Sequence, residues 1–259
     1  MRVAIRDLTH CFKSLPMALH FAWGDTKARY KRSVLGPFWI VLGTAIGVTG
    51  LGYLWSNVLK IDRATLIPSL TIGLVIWQLL ASCITESSSV FIRNASIIRN
   101  IHTPFLMFPL QMVLKQLINF AHNAVVILVV LCFFSPPLNA AQWLVIPGLL
   151  LIIGNLLWIS MVIGMLGARF RDIDPLISAV MPMLFFLSPV IFRPDHLSVP
   201  SNILWGNPLT YLITVLRDPL QGITPDWFVY EVVFGMLILG WAFALWLLDH
   251  RHHRIAFWV

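Results

Sequence analysis

Hydrophobic residues are gathered into long uncharged stretches that are separated by short charged or turn-forming segments. A helix needs about 20 apolar residues to cross a bilayer core, and a charged residue at its centre costs about 2.5–3.5 kcal/mol. Charges therefore mark the ends of membrane-spanning helices. The uncharged stretches predict six spans, at 34–55, 66–85, two within 116–168 that are separated by a turn at 135–139, 175–192 and 232–248.

Three further segments have patterns that suit neither a span nor a simple loop. Apolar residues recur every three to four positions across 8–32, as in a helix that lies in the membrane interface, and Pro16 after Ser14 suits a helix start. A plain membrane anchor and a partner-docking helix both fit this segment. Residues 194–228 combine apolar stretches with five prolines, which predicts a re-entrant hairpin outside, between spans five and six.

The loop 86–104 is long for a connection between two spans. Phe91, Ile97, Ile98 and Ile101 can share one side of a short helix, and Arg93 and the asparagines can share the other. An exposed apolar stripe of this kind suits the groove of a partner protein. A second helix that lies on lipid fits the same pattern, so both interpretations stay open at this point.

Composition agrees with a lipid solvent. Of 259 residues, 58% are hydrophobic and 11% are charged, the mean hydropathy is +0.83, and soluble domains carry about 25% charged residues. A soluble globular domain is excluded, and six spans leave no room for a separate catalytic domain. The three scattered cysteines suggest neither a disulfide framework nor a metal site and are expected to be small core residues.

Positive charge sets the expected orientation. The side of the membrane that holds both termini carries 13 of the 18 lysines and arginines, and such residues accumulate in cytoplasmic loops. The chain is thus predicted to comprise an interfacial amphipathic helix at 1–33, a six-span transmembrane domain at 34–249 and a cytoplasmic basic tail at 250–259. A positive inner face against anionic lipid explains the net charge of +7 without a nucleic-acid partner.

The third predicted span is the most polar, and its polar residues recur on one helical face. These residues are Gln111, Lys115, Asn119, His122 and Asn123. Intramembrane polar groups usually face a bundle interior or a cavity, so Lys115, Asn119 and His122 are candidates for lining a channel. The alternative is that Lys115 extends to the interface and the amides only join helices.

Motifs for catalysis are missing from the sequence. It has no phosphate-binding Gly-x-x-x-x-Gly-Lys loop, no His-Glu-x-x-His and no Gly-x-Ser-x-Gly. The histidines at 250, 252 and 253 alternate with arginines, which favours a solvated basic end over a metal site. We therefore expect no metal and no enzymatic activity in this chain. Acidic residues are also absent from the predicted spans, which argues against an ion-coupled carrier.

Three segments resemble the type-two ABC exporter permeases that move polysaccharides. They are residues 29–39, residues 168–173 leading into 185–190, and Asn207-Pro208 followed by Arg217. The motif positions are Gly36, Pro37, Arg169, Asp172, Asn207, Pro208 and Arg217. The resemblance implies a homodimer in the bacterial inner membrane, paired with two copies of an ABC ATPase subunit that binds the ATP and Mg.

The resemblance also implies the cargo and several roles. It implies export of a lipid-linked polysaccharide through a channel between the two copies, and the short tail and compact loops favour O-antigen on undecaprenyl diphosphate. Residues 89–102 become the coupling helix that contacts the ATPase, through Phe91, Arg93, Ile97, Arg99 and His102. Arg29, Lys31 and Arg32 would attract the diphosphate head at the inner leaflet.

Other functions stay open for this sequence. Capsule and teichoic-acid exporter permeases share the quoted features, and a drug or lipid exporter permease of the same type is a more distant alternative. An ion-coupled secondary carrier belongs to a different class, because it would transport without an ATPase partner.

Overall fold

The computed structural model describes residues 2–101, 103–134, 139–191 and 204–259, and every regular element in this part of the chain is helical. The helices are α1 Arg2–Lys13, α2 Leu15–Tyr30, α3 Phe38–Leu59, α4 Arg63–Ser87, α5 Val90–Arg93, α6 Ala95–Asn100, α7 Met107–Phe134, α8 Val145–Arg169, α9 Ile173–Leu187, α10 Pro208–Leu220 and α11 Trp227–Trp258. A 3-10 turn, Ala140–Leu144, precedes α8. The all-α prediction is confirmed for these residues.

Five helices are long and apolar enough to cross a membrane, namely α3, α4, α7, α8 and α11. Helix α4 lies at the centre, because residues 70–77 are all buried and it contacts α3, α7, α8, α9 and α10. Helix α3 lies at the edge, where Trp39, Leu42 and Ile46 are exposed. The five apolar helices confirm the predicted membrane-spanning architecture in its main outline.

The fifth predicted span coincides with α9, which has only 15 residues and therefore a length of about 22 Å. A bilayer core is about 30 Å thick, so α9 alone is too short to cross it. The chain nevertheless leaves α8 at the end of the bundle near Ser88 and starts α11 at the opposite end, where Asn139 contacts Gly222. The two ends of the stretch 170–226 thus lie at opposite ends of the bundle, and the count of six spans stays a prediction.

Several helix ends differ from the predicted spans. Helix α3 starts at Phe38, four residues later than expected, because Gly36 adopts a φ of 55° and its amide donates to Ser33 Oγ at 3.1 Å, which forms a turn before Pro37. Helix α4 continues through Glu86 to Ser87. The helix thus extends two residues beyond the predicted span 66–85, and the position of Glu86 relative to the membrane stays a prediction.

The N-terminal segment forms two helices, and α2 starts where Ser14 and Pro16 predict. Ala18, Ala22 and Thr26 follow at four-residue steps, are buried and lie on the face toward α7. Small residues at this spacing let helices approach closely in membranes. The large apolar side chains of α2, such as Trp23, are instead exposed.

The C-terminal residues 250–258 belong to the same helix as the sixth predicted span. Ile255 and Val259 are buried, and α11 contacts both α1 and α6. The basic residues His253 and Arg254 are exposed, and the division into a separate tail at 250–259 stays a prediction. The three cysteines were expected to be core residues. This prediction is confirmed for Cys11 and Cys83, which are buried, and is wrong for Cys132, which is exposed.

The proposed outer hairpin falls partly outside the described residues, at 192–203. Its later part is α10, in which residues 209–219 are all buried and which packs against α4, α8 and α11. Whether the two parts together form a re-entrant hairpin stays a prediction.

Candidate functional site

Polar side chains of α7 face α4 and α3 inside the bundle. Asn123 Nδ2 donates to Gln78 Oε1 on α4 at 2.7 Å. Thr44 Oγ1 on α3 donates to Asn123 Oδ1 at 3.0 Å, and one turn back along α7 Asn119 Nδ2 donates to Gln116 Oε1 at 2.9 Å. Buried polar groups need such partners, and this network satisfies them across three helices.

An ion pair closes the network at the end of the bundle near Ser87. Lys115 Nζ pairs with Glu86 Oε2, and Gln116 Nε2 donates to Glu86 Oε1 at 2.6 Å. A second cation, the guanidinium of Arg29 on α2, lies 4.0 Å from Glu86 Oε1. Glu86 therefore joins α2, α4 and α7. Because Glu86 lies at the end of α4, this pair fits a Lys115 side chain that extends toward the interface, and both interpretations of Lys115 stay open.

These side chains border a cavity of about 360 Å³ between α2, α3, α4 and α7, which we term the polar cavity. Its polar lining comprises Arg29, Thr44, Gln78, Ser82, Glu86 and Asn119, together with Gln116 and Asn123. Amides and hydroxyls both donate and accept hydrogen bonds. The polar cavity thus suits water or a hydroxyl-bearing ligand.

The three candidate channel residues do not lie together. Asn119 lines the polar cavity, and Lys115 reaches it through Glu86. His122 lies apart, because its Nδ1 is 2.7 Å from Ile118 O and it borders a different cavity beside Trp23 and Lys27. All three face the interior or α2 side of a single protomer, and their lining of a channel between two copies stays a prediction.

Sequence reasoning missed Glu86, Gln78 and Thr44. Glu86 was treated as a boundary, although it is the one acidic residue between Asp62 and Asp172, just as Lys115 is the one cation between Arg99 and Arg169. Single opposite charges in neighbouring apolar stretches are a signal for an ion pair between the two helices, here a partly buried one. That signal is present in the sequence. The hydrogen bonds of Gln78 and Thr44 with Asn123, by contrast, depend on how the helices pack and follow only from the structure.

Residues 88–101, which we term the 88–101 segment, form α5 and α6 at the end of the bundle that also holds α1 and the end of α11. Phe91 on α5 is buried between the rings of Phe105 and Phe108, whose centroids lie 6.3 and 6.2 Å away. Its expected place on an exposed stripe is therefore wrong. Ile97 and Ile101 are exposed, at 40% and 59%.

Glycines of α8 let the 88–101 segment approach the bundle closely. A Cβ atom at Gly167 would lie 1.9 Å from Ser88 O, and one at Gly164 would lie 3.0 Å from the Phe91 ring. Ser88 Oγ also donates to the Asp174 carboxylate in the first turn of α9. The start of this segment is thus fixed to both α8 and α9.

The second half of the segment is held more loosely. Helix α6 has no buried residue, and Arg93 and Arg99 are exposed. Arg99 donates to Val259 O at the end of α11. His102, the remaining candidate coupling residue, lies outside the described residues.

Asp7 on α1 holds the chain just after the 88–101 segment. Its carboxylate accepts the backbone amides of Phe105 at 3.1 Å and Leu106 at 3.0 Å. Burial raises the pKa of Asp7, and these two hydrogen bonds and the nearby His10 and His252 offset part of the increase. Burial also raises the pKa of the Cys11 thiol to about 12.

The motif positions of α8 and α9 lie beside the 88–101 segment. The guanidinium of Arg169 stacks over the rings of Phe170 and Trp258, at 4.8 and 5.6 Å. Asp172 directly precedes α9, and its carbonyl accepts the amide of Leu176 at 3.1 Å. These residues connect the turn between α8 and α9 to the end of α11.

Three further motif residues, Asn207, Pro208 and Arg217, join helices at the end of the bundle opposite to the 88–101 segment. Asn207 caps α10 by accepting the Leu209 amide at 3.0 Å, and its Nδ2 donates to Ser188 Oγ at 2.8 Å. Pro208 occupies the first turn of α10. Arg217 is 1% exposed and donates to Pro189 O at 2.5 Å, so these residues attach α10 to the end of α9.

Among the residues that the structure describes, no group of three or more His, Cys, Asp or Glu side chains is placed to hold a metal ion. The C-terminal histidines instead pack on neighbours. The ring centroids of His252 and His253 lie 3.7 Å apart, and the ring of His250 stacks on that of Trp246 with a centroid distance of 5.5 Å.

The sequence matches a known transporter family over most of its length. The signature described as ABC-2 type transporter covers residues 19–220. An O-antigen export system permease protein RfbA of Klebsiella pneumoniae is 26% identical over 238 residues, which are 90% of each chain. RfbA of Myxococcus xanthus is 22% identical over 219 residues, 81% of this chain and 82% of the relative.

Proposed function

Because the chain belongs to the ABC-2 type transporter family, we propose that it is the transmembrane subunit of an exporter that moves a lipid-linked polysaccharide out of the cytoplasm. The observation that carries this proposal is the similarity, over nine tenths of the chain, to a permease named for O-antigen export. We further propose that the cargo is O-antigen on undecaprenyl diphosphate. The resemblance noted from the sequence motifs is confirmed at the level of the family.

Permeases of this family pair with ATPase subunits, and ATP is hydrolysed in those separate subunits. The chain is therefore a multi-pass membrane permease and not an enzyme on its own. We propose two ATPase copies that bind the ATP and Mg, a second copy of this chain, and an inner-membrane orientation with both termini in the cytoplasm. The excess of lysine and arginine on that side supports the orientation.

The 88–101 segment is the proposed contact with the ATPase. Ile97, Ile101, Arg93 and Arg99 form an exposed apolar and basic surface, and the buried Phe91 anchors its start. A short helix that is packed closely against α8 and α9 can transmit a movement of the partner to these two helices. The proposed role of Phe91 is thus to position the contact from within, and that of His102 rests on the resemblance alone.

The channel between two copies is supported by the exposure of α3 and α9. Both helices present large apolar side chains on the surface of the single protomer, for example Ile46 and Phe186 at 65% and 67%. Lipid or a second copy can cover such surfaces. Arg29, Lys31 and Arg32 are exposed at the end of α2, where we propose that they attract the diphosphate head of the cargo.

One observation favours the second candidate, an ion-coupled carrier. Glu86 is the penultimate residue of α4 and pairs with Lys115, whereas the sequence suggested that the spans lack carboxylates. Proton relays in carriers use such groups. The family assignment outweighs this single pair, and capsule or teichoic-acid cargo stays the nearer alternative.

Affinity purification of the tagged chain from native membranes in mild detergent tests the proposal. We expect an ATPase subunit to co-purify at one copy per permease, and loss of polymer export when that subunit is deleted. A purified chain without an ATPase that still transports in vesicles would contradict the proposal. In that case Glu86→Gln, with Asp62→Asn as the control, would show whether the pair at Lys115 carries a proton.

A further inference from the structure

Helix α11 is longer than a membrane crossing requires. Its 32 residues extend over about 48 Å, whereas a bilayer core is about 30 Å thick. The uncharged stretch 232–248 ends at Asp249, and residues 227–248 alone reach about 33 Å. Residues 249–258 are therefore not needed to span the membrane, and their contacts indicate what they do instead.

The end of this extension packs against the bundle. Ile255 is fully buried and Val259 is 5% exposed, and α11 contacts α1 and α6. The Arg169 guanidinium at the end of α8 lies 5.6 Å from the ring centroid of Trp258, which is within cation–π range. The neighbouring Phe257 is 88% exposed. Residues 255–259, which we term the 255–259 turn, therefore dock through one face.

The 255–259 turn contacts α6, the loosely held half of the 88–101 segment. Helix α6 has six residues and none of them is buried, and isolated helices shorter than about 12 residues are marginal in water. Arg99 on α6 donates a hydrogen bond to Val259 O, and a guanidinium donor makes this bond charge-assisted and stronger than a neutral one. The place of α6 relative to the bundle thus depends on where Val259 lies.

Arg99 is the second fixed point of the 88–101 segment. The first is Ser88, whose backbone lies against Gly167 of α8 and whose hydroxyl donates to Asp174 of α9. Two attachments near opposite ends of a short segment limit its rotation. They therefore determine the direction in which the exposed Ile97 side chain faces a partner.

Helix α1 belongs to the same support. It packs against α11, and its Asp7 carboxylate accepts the backbone amides of Phe105 and Leu106, which follow α6 in the chain. The chain is thus held by α11 just before the end of α6 and by α1 shortly after it.

We propose that the 255–259 turn positions α6 for contact with the ATPase subunit, with Trp258 docked on Arg169 and Val259 O holding Arg99. This inference rests on the proposed function, because it takes the 88–101 segment to be the contact with the ATPase. Arg99 keeps its place on that surface, and its hydrogen bond sets the angle of the surface. Trp258 is a positioning residue, since it acts on the partner through α6.

Hydrogen–deuterium exchange of the full chain in nanodiscs measures how firmly α6 is held, without any ATPase. The amide of Ile101 donates to Ile97 O at 2.8 Å, so its exchange reports the opening of α6. In Trp258→Ala, we expect exchange across residues 97–101 to rise at least about threefold, because a hydrogen bond of α6 is lost, while exchange across α5 stays unchanged. Phe257→Ala, the exposed aromatic residue of the same turn, is the matched control and should leave both unchanged.

The affinity of the purified ATPase subunit for the same nanodiscs gives the second readout. Trp258→Ala should weaken binding at least about fivefold, because α6 loses a charge-assisted hydrogen bond. Phe257→Ala should change the affinity less than about twofold. In an Arg99→Gln background, Trp258→Ala should also change it less than about twofold, because the bond through which it acts is already missing. Arg99→Lys keeps a donor and should bind the ATPase more tightly than Arg99→Gln.

Three results would overturn the proposal. One is unchanged exchange across residues 97–101 in Trp258→Ala. Another is an equal loss of ATPase affinity on Trp258→Ala in the native and the Arg99→Gln backgrounds, which would mean that Trp258 acts independently of α6. The third is a loss in Phe257→Ala as large as that in Trp258→Ala.

If Trp258→Ala does not fold, Arg99→Gln decides alone. Native exchange across α6 in Arg99→Gln would then overturn the proposal. Faster exchange that Arg99→Lys restores would support it.

Exchange and ATPase binding together separate this proposal from the one on which it rests. If the native chain binds an ATPase and Trp258→Ala binds it equally well, the positioning role fails and the exporter function stands. If the native chain binds no ATPase although Trp258→Ala exchanges faster across residues 97–101, the exporter function fails and the attachment of α6 to α11 stands.

Discussion

Helices α5 and α6 are neighbours in sequence and differ sharply in how they are held. Phe91 on α5 is fully buried, and Ser88 just before it contacts α8 so closely that Gly167 has no room for a Cβ. Helix α6 has no buried residue and exposes Ile97. Each of the two helices has three apolar residues. The number of apolar residues alone therefore does not distinguish a helix that is packed into the fold from one that lies on the surface.

One half of the 88–101 segment thus serves the fold, and the other half leaves its side chains on the surface. Substitutions in the first half should therefore change stability, whereas those in the second half should change function at constant stability. The following predictions test this division, from the largest expected change in the free energy of unfolding to the smallest.

Phe91→Ala should destabilise the protein most, by about 3–5 kcal/mol, because it leaves a cavity between Phe105, Phe108 and α8. Thermal unfolding in detergent, followed by size-exclusion chromatography, measures the loss. Phe257→Ala is the matched control, since Phe257 is 88% exposed and its removal should have little effect. Equal unfolding midpoints for the two variants would show that the packing of Phe91 on α5 does not stabilise the fold.

Gly167→Ala should destabilise by about 1–3 kcal/mol, the usual range for an overpacked contact, since the new Cβ would overlap Ser88 O. Gly235→Ala in α11 adds the same methyl group where nothing lies within 4 Å, and it should be tolerated. The yields and unfolding midpoints of the two variants give the comparison. A stable Gly167→Ala protein would mean that α8 and Ser88 are farther apart.

The Asp7 contact should give a smaller, pH-dependent effect at the other end of the segment. Because burial raises the pKa of Asp7 in the folded chain above its value of 3.8 in the unfolded chain, its stabilising contribution is complete below pH 3.8 and is lost as the pH rises through the folded pKa. The difference in unfolding midpoint between the native chain and Asp7→Asn should therefore vary with pH in this window.

Ile97→Asp should leave the free energy of unfolding within about 0.5 kcal/mol of the native value, because Ile97 lies on the surface. Polymer export should nevertheless be lost while the bound ATPase continues to hydrolyse ATP. Polymer export per ATP hydrolysed is the measurement, with the solvent-exposed Ser96→Asp as the control. Normal export by Ile97→Asp would remove this residue from the contact surface.

The charges in the sequence predicted the main helices well, because lipid excludes an unpaired charge from a span. The same rule ended the second span just before Glu86, whereas α4 continues through this residue, for which Lys115 and Gln116 provide the partners. A rule based on single residues cannot anticipate a pair that only the packed helices bring together.

The site was predicted less completely, for a related reason. Phe91 and Ile97 look alike in the sequence, and Phe91 is buried because the segment around it packs closely against Gly164 and Gly167, more than 70 residues after Phe91. The polar face of α7 was identified correctly as a helical stripe. Its division between the polar cavity and the separate cavity that His122 borders depends on α2, whose close approach through Ala18, Ala22 and Thr26 followed only from the structure.

The group formed by Arg29, Glu86 and Lys115 has a consequence for the insulation of the membrane. Two cations and one carboxylate give it a net positive charge at the end of the polar cavity, and positive charge beside a narrow aqueous path excludes protons and other cations. We therefore expect the polar cavity not to conduct protons and to leave the proton gradient across the membrane intact. We expect vesicles that contain the resting protein to keep that gradient, and those with Lys115→Gln to lose it faster.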